Sequence, residues 1–81
     1  MNTSKNISFS VFPNPAKDIL YLDNIPNNSK LKIFNQTGKC IISDVRKEKN
    51  SIDISDLSQG TYIIVITTYN GMIGTRKFVK K

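Results

Sequence analysis

The chain has 81 residues, 38% apolar and 22% charged, which suits one small globular domain with a thin core and leaves little room for an enclosed active-site cavity. Twelve Lys and Arg against six Asp and Glu give +6 at pH 7, with no His, no Trp and a single Cys. Those absences exclude a His-based triad, a Cys–His pair, a zinc site of the usual ligands and an intramolecular disulfide, and an enzyme is not expected.

The apolar residues fall in short alternating runs, and no stretch repeats at helical spacing. Ile7, Phe9 and Val11 alternate with Ser8, Ser10 and Phe12, predicting a first strand. Pro13-Asn14-Pro15 ends it, because neither proline can donate to a ladder and Pro15 keeps Asn14 extended. A second strand is predicted over residues 18–23, and a loop over 24–29 that holds Pro26 and Asn27-Asn28. Residues 30–35 alternate Lys30 and Lys32 with Leu31 and Ile33, one wet face and one core face. Gln36-Thr37-Gly38 turns the chain, with Gly38 free to take a positive φ. The fourth strand covers 39–43 and is followed by the charged run from Asp44 to Lys49. A short strand at 51–54 leads into Asp56-Leu57-Ser58-Gln59-Gly60. The β-branched stretch 61–68 is the strongest strand. Asn70-Gly71 predicts a two-residue hairpin turn, and 73–79 pairs back.

Seven short strands without a helix predict an all-β antiparallel sandwich, with a small closed barrel as the alternative. The longest apolar run, Ile63 to Ile66, is far short of the roughly 20 residues that cross a bilayer, so no membrane insertion is expected. Residues 1–10 lack the basic-then-apolar pattern of a signal peptide. Residues 1–7 are expected to be the end of a linker or an added start, and 8–81 the single sandwich domain.

Individual residues offer few chemical sites. The basic residues are scattered, and the aromatics Phe9, Phe12, Tyr21, Phe34, Tyr62, Tyr69 and Phe78 sit mostly at alternating strand positions that read as core. A nucleic-acid surface would gather cations and aromatics on one face, so no nucleic acid is expected; edge lysines also block strand-to-strand aggregation. Cys40 reads as a small buried apolar residue rather than a reactive thiol. Asp18, Asp23, Asp44, Asp53 and Asp56 lack the spacing of a calcium loop, and neither metal nor cofactor is expected. Tyr62 opens a strong strand just after a turn, which suits a tyrosine corner that bonds to upstream backbone.

Four segments in order resemble the type A C-terminal sorting domains of the type IX secretion system. The first is Val11-Phe12-Pro13-Asn14-Pro15-Ala16-Lys17-Asp18-Ile19-Leu20-Tyr21-Leu22. The second is Ile33-Phe34-Asn35-Gln36-Thr37-Gly38-Lys39, and the third runs Ile54-Ser55-Asp56-Leu57-Ser58-Gln59-Gly60-Thr61-Tyr62-Ile63-Ile64. The fourth is Gly74-Thr75-Arg76-Lys77-Phe78-Val79-Lys80-Lys81, with Phe78 where the family often has a smaller aliphatic residue. The resemblance spans residues 9–81. It implies an immunoglobulin-like sandwich of about seven strands, carried at the C-terminus of a larger cargo from a bacterium of the Bacteroidota type. It further implies transit through the periplasm, recognition by the type IX translocon and its outer-membrane shuttle components, and delivery to the surface or medium. A sortase-like surface peptidase then removes the domain in many members.

Under that reading Lys77, Phe78, Val79, Lys80 and Lys81 are the candidates for translocon recognition, because a terminal strand can pair along a partner's edge. Pro13, Asn14 and Pro15 form a second candidate contact, or else simply terminate an edge strand. Asn35, Gly38, Lys39, Asp56, Leu57, Gly60 and Tyr62 are expected to keep the fold. The rival function is a carbohydrate-binding or adhesion module of a surface protein, for which Tyr69 is the one aromatic obviously placed.

Overall fold

The computed structural model describes residues 9–26, 28–46 and 50–81. Its strands are β1 (Ser10–Phe12), β2 (Ile19–Asp23), β3 (Ser29–Phe34), β4 (Cys40–Arg46), β5 (Ser51–Asp53), β6 (Gly60–Thr67) and β7 (Ile73–Lys80). They form two antiparallel sheets, β1-β2-β5 and β4-β3-β6-β7, so the chain is an immunoglobulin-like sandwich rather than a closed barrel. The two inner faces meet in one core built by alternation. Leu20 and Leu22 come from β2, Leu31 and Ile33 from β3, Tyr62, Ile64 and Ile66 from β6, and Phe78 from β7. Tyr62 and Phe78 stack with ring centroids 5.6 Å apart, and Arg76 lies over the Phe9 ring, 5.4 Å from its centroid.

Most strand ends shift by one residue from the sequence expectation, and the end of the fourth strand shifts by three. The fourth strand continues past Ser43 through Arg46, because Asp44, Val45 and Arg46 find backbone partners in Leu31, Lys30 and Ser29. Ladder pairing there outweighs the charged composition, and a bulge opposite Ile33 and Phe34 lets Ile41 drop out of register. The rest of the charged run, residues 47–49, lies outside the described residues, as do Ile7 and the linker expected over 1–7.

The turn at Asn70-Gly71 is not a two-residue hairpin. Gly71 N–H donates to Thr68 O at 3.0 Å and Thr68 N–H to Met72 O at 2.8 Å, which leaves a three-residue loop, 69–71. Of the Asn70-Gly71 pair, only Gly71 has a positive φ (91°), whereas a two-residue type I′ turn needs both. The Thr68 hydroxyl decides the choice: it accepts from Met72 N–H at 2.9 Å and also bonds Asn70 Oδ1. The turn between β3 and β4 repeats the pattern, with Gly38 N–H on Asn35 O at 3.0 Å, Asn35 N–H on Lys39 O at 2.9 Å, and Gly38 at φ 89°.

Asp53 closes β5. Its Oδ1 accepts from the Ser55 hydroxyl at 2.7 Å and from Ser55 N–H at 2.9 Å, and these bonds, the hydroxyl's first, hold the carboxyl below its ordinary value of 3.8. A depressed pKa adds stability above that ordinary value, which is lost as pH falls through the folded-state one. Asp53→Asn is therefore expected to lower the urea midpoint at pH 7 and to leave it unchanged in strong acid. Equal midpoints at pH 7 would refute the assignment.

Candidate functional site

The C-terminal strand β7 is one of the two edges of the larger sheet, and the structure straps it. Pro13 and Pro15 offer β7 no N–H, and between them the Asn14 side chain reaches β7 with an acceptor and a donor. Asn14 Oδ1 accepts from Val79 N–H at 2.9 Å, and its Nδ2 donates weakly to Lys77 O at 3.5 Å. The next residue continues the ladder. Ala16 N–H donates to Val79 O and Lys81 N–H to Ala16 O, each at 2.8 Å, in a parallel bridge between Ala16 and Lys80. Ala16 is wholly buried and packs in the core, which asks for a small side chain where the strap crosses from one sheet to the other.

This geometry corrects the view of residues 77–81 as one exposed recognition strand. Phe78 is fully buried against Tyr62, and Lys80 is buried at 8% exposure with its ammonium on Lys81 O at 3.0 Å. Only Lys77, Val79 and Lys81 present side chains outward. The outer backbone edge at Val79 and Lys81 is already taken by Asn14 and Ala16. Pro13, Asn14 and Pro15 are themselves exposed, so the strap and the outward residues of β7 make one continuous surface. Sequence reasoning missed this pairing; the signal was there in an amide side chain set between two residues that cannot donate.

The remaining motif residues meet beside it. Asn35 Oδ1 gathers three donors, Thr37 N–H at 3.0 Å, the Thr37 hydroxyl at 2.8 Å and Lys39 N–H at 3.0 Å, and so fixes the turn. The Tyr62 hydroxyl donates to Ser58 O at 2.6 Å, and Leu57 N–H to Ile54 O at 3.0 Å, with Leu57 packed against the core. Asp56 is exposed in the same loop. Asn35, Gln36 and Thr37 then face Gln59, Gly60, Thr61 and Tyr62 across an open groove of about 190 Å³. Gly60 pairs with Lys80, and Lys80 with Ala16, so all four motifs converge on one end of the sandwich. β1 starts at the other end, where Ser10 opposes Asp23.

Tyr62→Phe keeps the stacked ring and deletes the bond to Ser58, and should cost about 1 kcal/mol. Urea denaturation checks it, and an unchanged midpoint would show the bond to be idle.

Other residues lie elsewhere than expected. Cys40 is exposed, not buried, because the bulge turns the start of β4 outward; its thiol points to Ile42 O at 3.4 Å. Phe12 and Tyr21 oppose each other on β1 and β2, stacked at 5.7 Å, and are about half exposed on the outer face of the small sheet. The aromatic core is therefore Phe9, Tyr62 and Phe78, and Tyr69 at 85% exposure is one of three exposed rings. No group of three or more carboxylate or thiol side chains gathers among the described residues.

The model of the secretion system C-terminal sorting domain family matches residues 10–81. The chain belongs to that family. None of the curated proteins compared matches the chain. Among solved structures it is similar to PorZ, described as an essential bacterial surface component of the type-IX secretion system of human oral-microbiomic Porphyromonas gingivalis. That likeness has a TM-score of 0.74 at 14% identity, over 90% of this chain and 11% of the PorZ chain. At that identity it speaks for the fold alone. Membership makes the chain a type IX sorting tail, the mark of a protein exported to the cell surface or secreted, in a family that is in general non-enzymatic.

Proposed function

We propose that this domain is a folded export signal, read by the type IX translocon at the end where its four motifs converge. The observation that supports this most is the strap. It joins the exposed Pro13, Asn14 and Pro15 to the outward Lys77, Val79 and Lys81 in one rigid surface, cheap to order on binding. Phe78, Lys80, Asn35, Gly38, Gly60 and Tyr62 act from within, shaping that end rather than touching a receptor. In this scheme the cargo reaches the periplasm by its own leader, outer-membrane shuttle components collect it, and a sortase-like peptidase removes the domain at the surface.

The test is a fluorescent protein with a periplasmic leader and this chain at its C-terminus, in a host with a working type IX system and in a translocon-deficient strain. Export in the first host alone, lost in Lys77→Ala/Val79→Thr/Lys81→Ala with an unchanged melt, is the expected result. Reporter trapped in both hosts while the domain is folded would overturn it. In that case a glycan array, with Phe12→Ala, Tyr21→Ala and Tyr69→Ala as controls, tests the carbohydrate-binding alternative.

A further inference from the structure

The outer face of the four-stranded sheet breaks the usual rule for a half-solvated antiparallel sheet. Such sheets alternate apolar inward with polar outward, whereas a near-continuous apolar run marks a strand covered on both faces. β6 reads Tyr62-Ile63-Ile64-Val65-Ile66. Tyr62, Ile64 and Ile66 fill the core; Ile63 and Val65 face the other way, and Ile63 is 38% exposed. On β7, Ile73 adds 47% exposure to the same side. The register sets cations beside this strip. Lys30 opposes Thr67, which opposes Ile73; Lys32 opposes Val65, which opposes Thr75; Phe34 opposes Ile63, which opposes Lys77. Lys30, Lys32 and Lys77 are exposed, and the sequences of β3, β6 and β7 contain no Asp or Glu.

We propose that this face docks an acidic amphipathic helix of a protein partner, its apolar stripe along β6 and its carboxylates on the lysines of β3 and β7. Dimensions and charge select that occupant. A helix is about 10–12 Å across with side chains, and three strands at about 4.8 Å spacing offer the same width. The helix's flanks then fall over Lys30 and Lys32 on one side and Lys77 on the other. The outward positions of β6, from Thr61 to Thr67, span about 20 Å, the length of roughly 13 helical residues. A second copy is disfavoured, because apposing two such faces brings lysines onto lysines in a chain of net charge +6. The face borders the strap surface and shares Lys77 with it, whereas Ile63, Val65, Ile73, Lys30 and Lys32 lie outside the strap; the docking event therefore goes beyond the export reading, and its failure would leave that reading to the reporter assay.

The experiment is amide-shift mapping of the 81-residue chain with a helical peptide of about 14 residues, leucines along one stripe and glutamates on both flanks. The same peptide with lysines for glutamates is the control. Shifts confined to β3, β6 and β7 with the acidic peptide are expected, weakened about tenfold in high salt. Ile63→Thr should weaken binding, and Lys30→Glu/Lys32→Glu should reverse the preference toward the lysine peptide, both variants keeping dispersed spectra. The proposal is overturned by equal binding of both peptides, by no binding at millimolar concentration, or by shifts centred on Phe12 and Tyr21 or on the turn 35–39. A dimer of the chain that Ile63→Thr dissociates would also overturn it, by giving the face to a second copy.

Discussion

Phe78→Ala is expected to bring the domain to the verge of unfolding and to abolish export. The ring is wholly buried, stacks on Tyr62, and comes from the strand that carries the fourth motif. Truncating a buried Phe typically costs about 3–5 kcal/mol, through lost transfer energy and the cavity left behind. An 81-residue domain has roughly 4–12 kcal/mol in total. The melting temperature should fall by at least about 12 °C, at the usual scaling for domains of this size. A melt within a few degrees of the parent would overturn the assignment. Phe78→Leu keeps an apolar side chain in the same place and should be exported, which separates packing from recognition. Deleting residues 77–81 cannot make that separation, since it removes the core ring, the outward lysines and the ladder to Ala16 together.

The strands were legible because their signal is local. Alternation in Leu31-Lys32-Ile33 and an apolar run between Asp18 and Asp23 mark strands whatever the sheet order, and all seven strands lie close to where these patterns and the turn residues put them. Sheet order was not legible in the same way, because it depends on pairings between residues far apart in sequence. The strap is the plainest case: Asn14 and Val79 are 65 residues apart, and nothing within either segment names the other. Burial was misread where outer faces carry apolar groups. Phe12 and Tyr21 occupy register positions on the solvent side of a three-stranded sheet, where stacking on each other replaces a core contact. Cys40 was misread for a different reason, a bulge that shifts the register by one residue and so exchanges faces. The candidate recognition residues were read as one segment, and the period of two divides them, Lys77, Val79 and Lys81 outward, Phe78 and Lys80 inward.

The glycine of the third motif can be tested for a purely conformational role. Gly60 has φ +150°, and a Cβ built on it meets nothing within 4 Å. Space is therefore no obstacle, and any penalty for a side chain must come from the backbone. That region belongs almost wholly to glycine, and an L-residue held there costs on the order of 1–3 kcal/mol. Gly60 pairs with Lys80 at the start of β6 and lines the groove beside Tyr62, so the strain would be felt where the motifs converge. Gly60→Ala is expected to lower stability by that amount. A D-alanine at the same position, placed by chemical synthesis of the 81-residue chain, has the mirror preference and should melt near the parent. If both epimers melt alike, the glycine is not there for its φ. If only the L-form falls, the motif's Gly is a conformational requirement of the fold, and the groove's openness is a consequence of it.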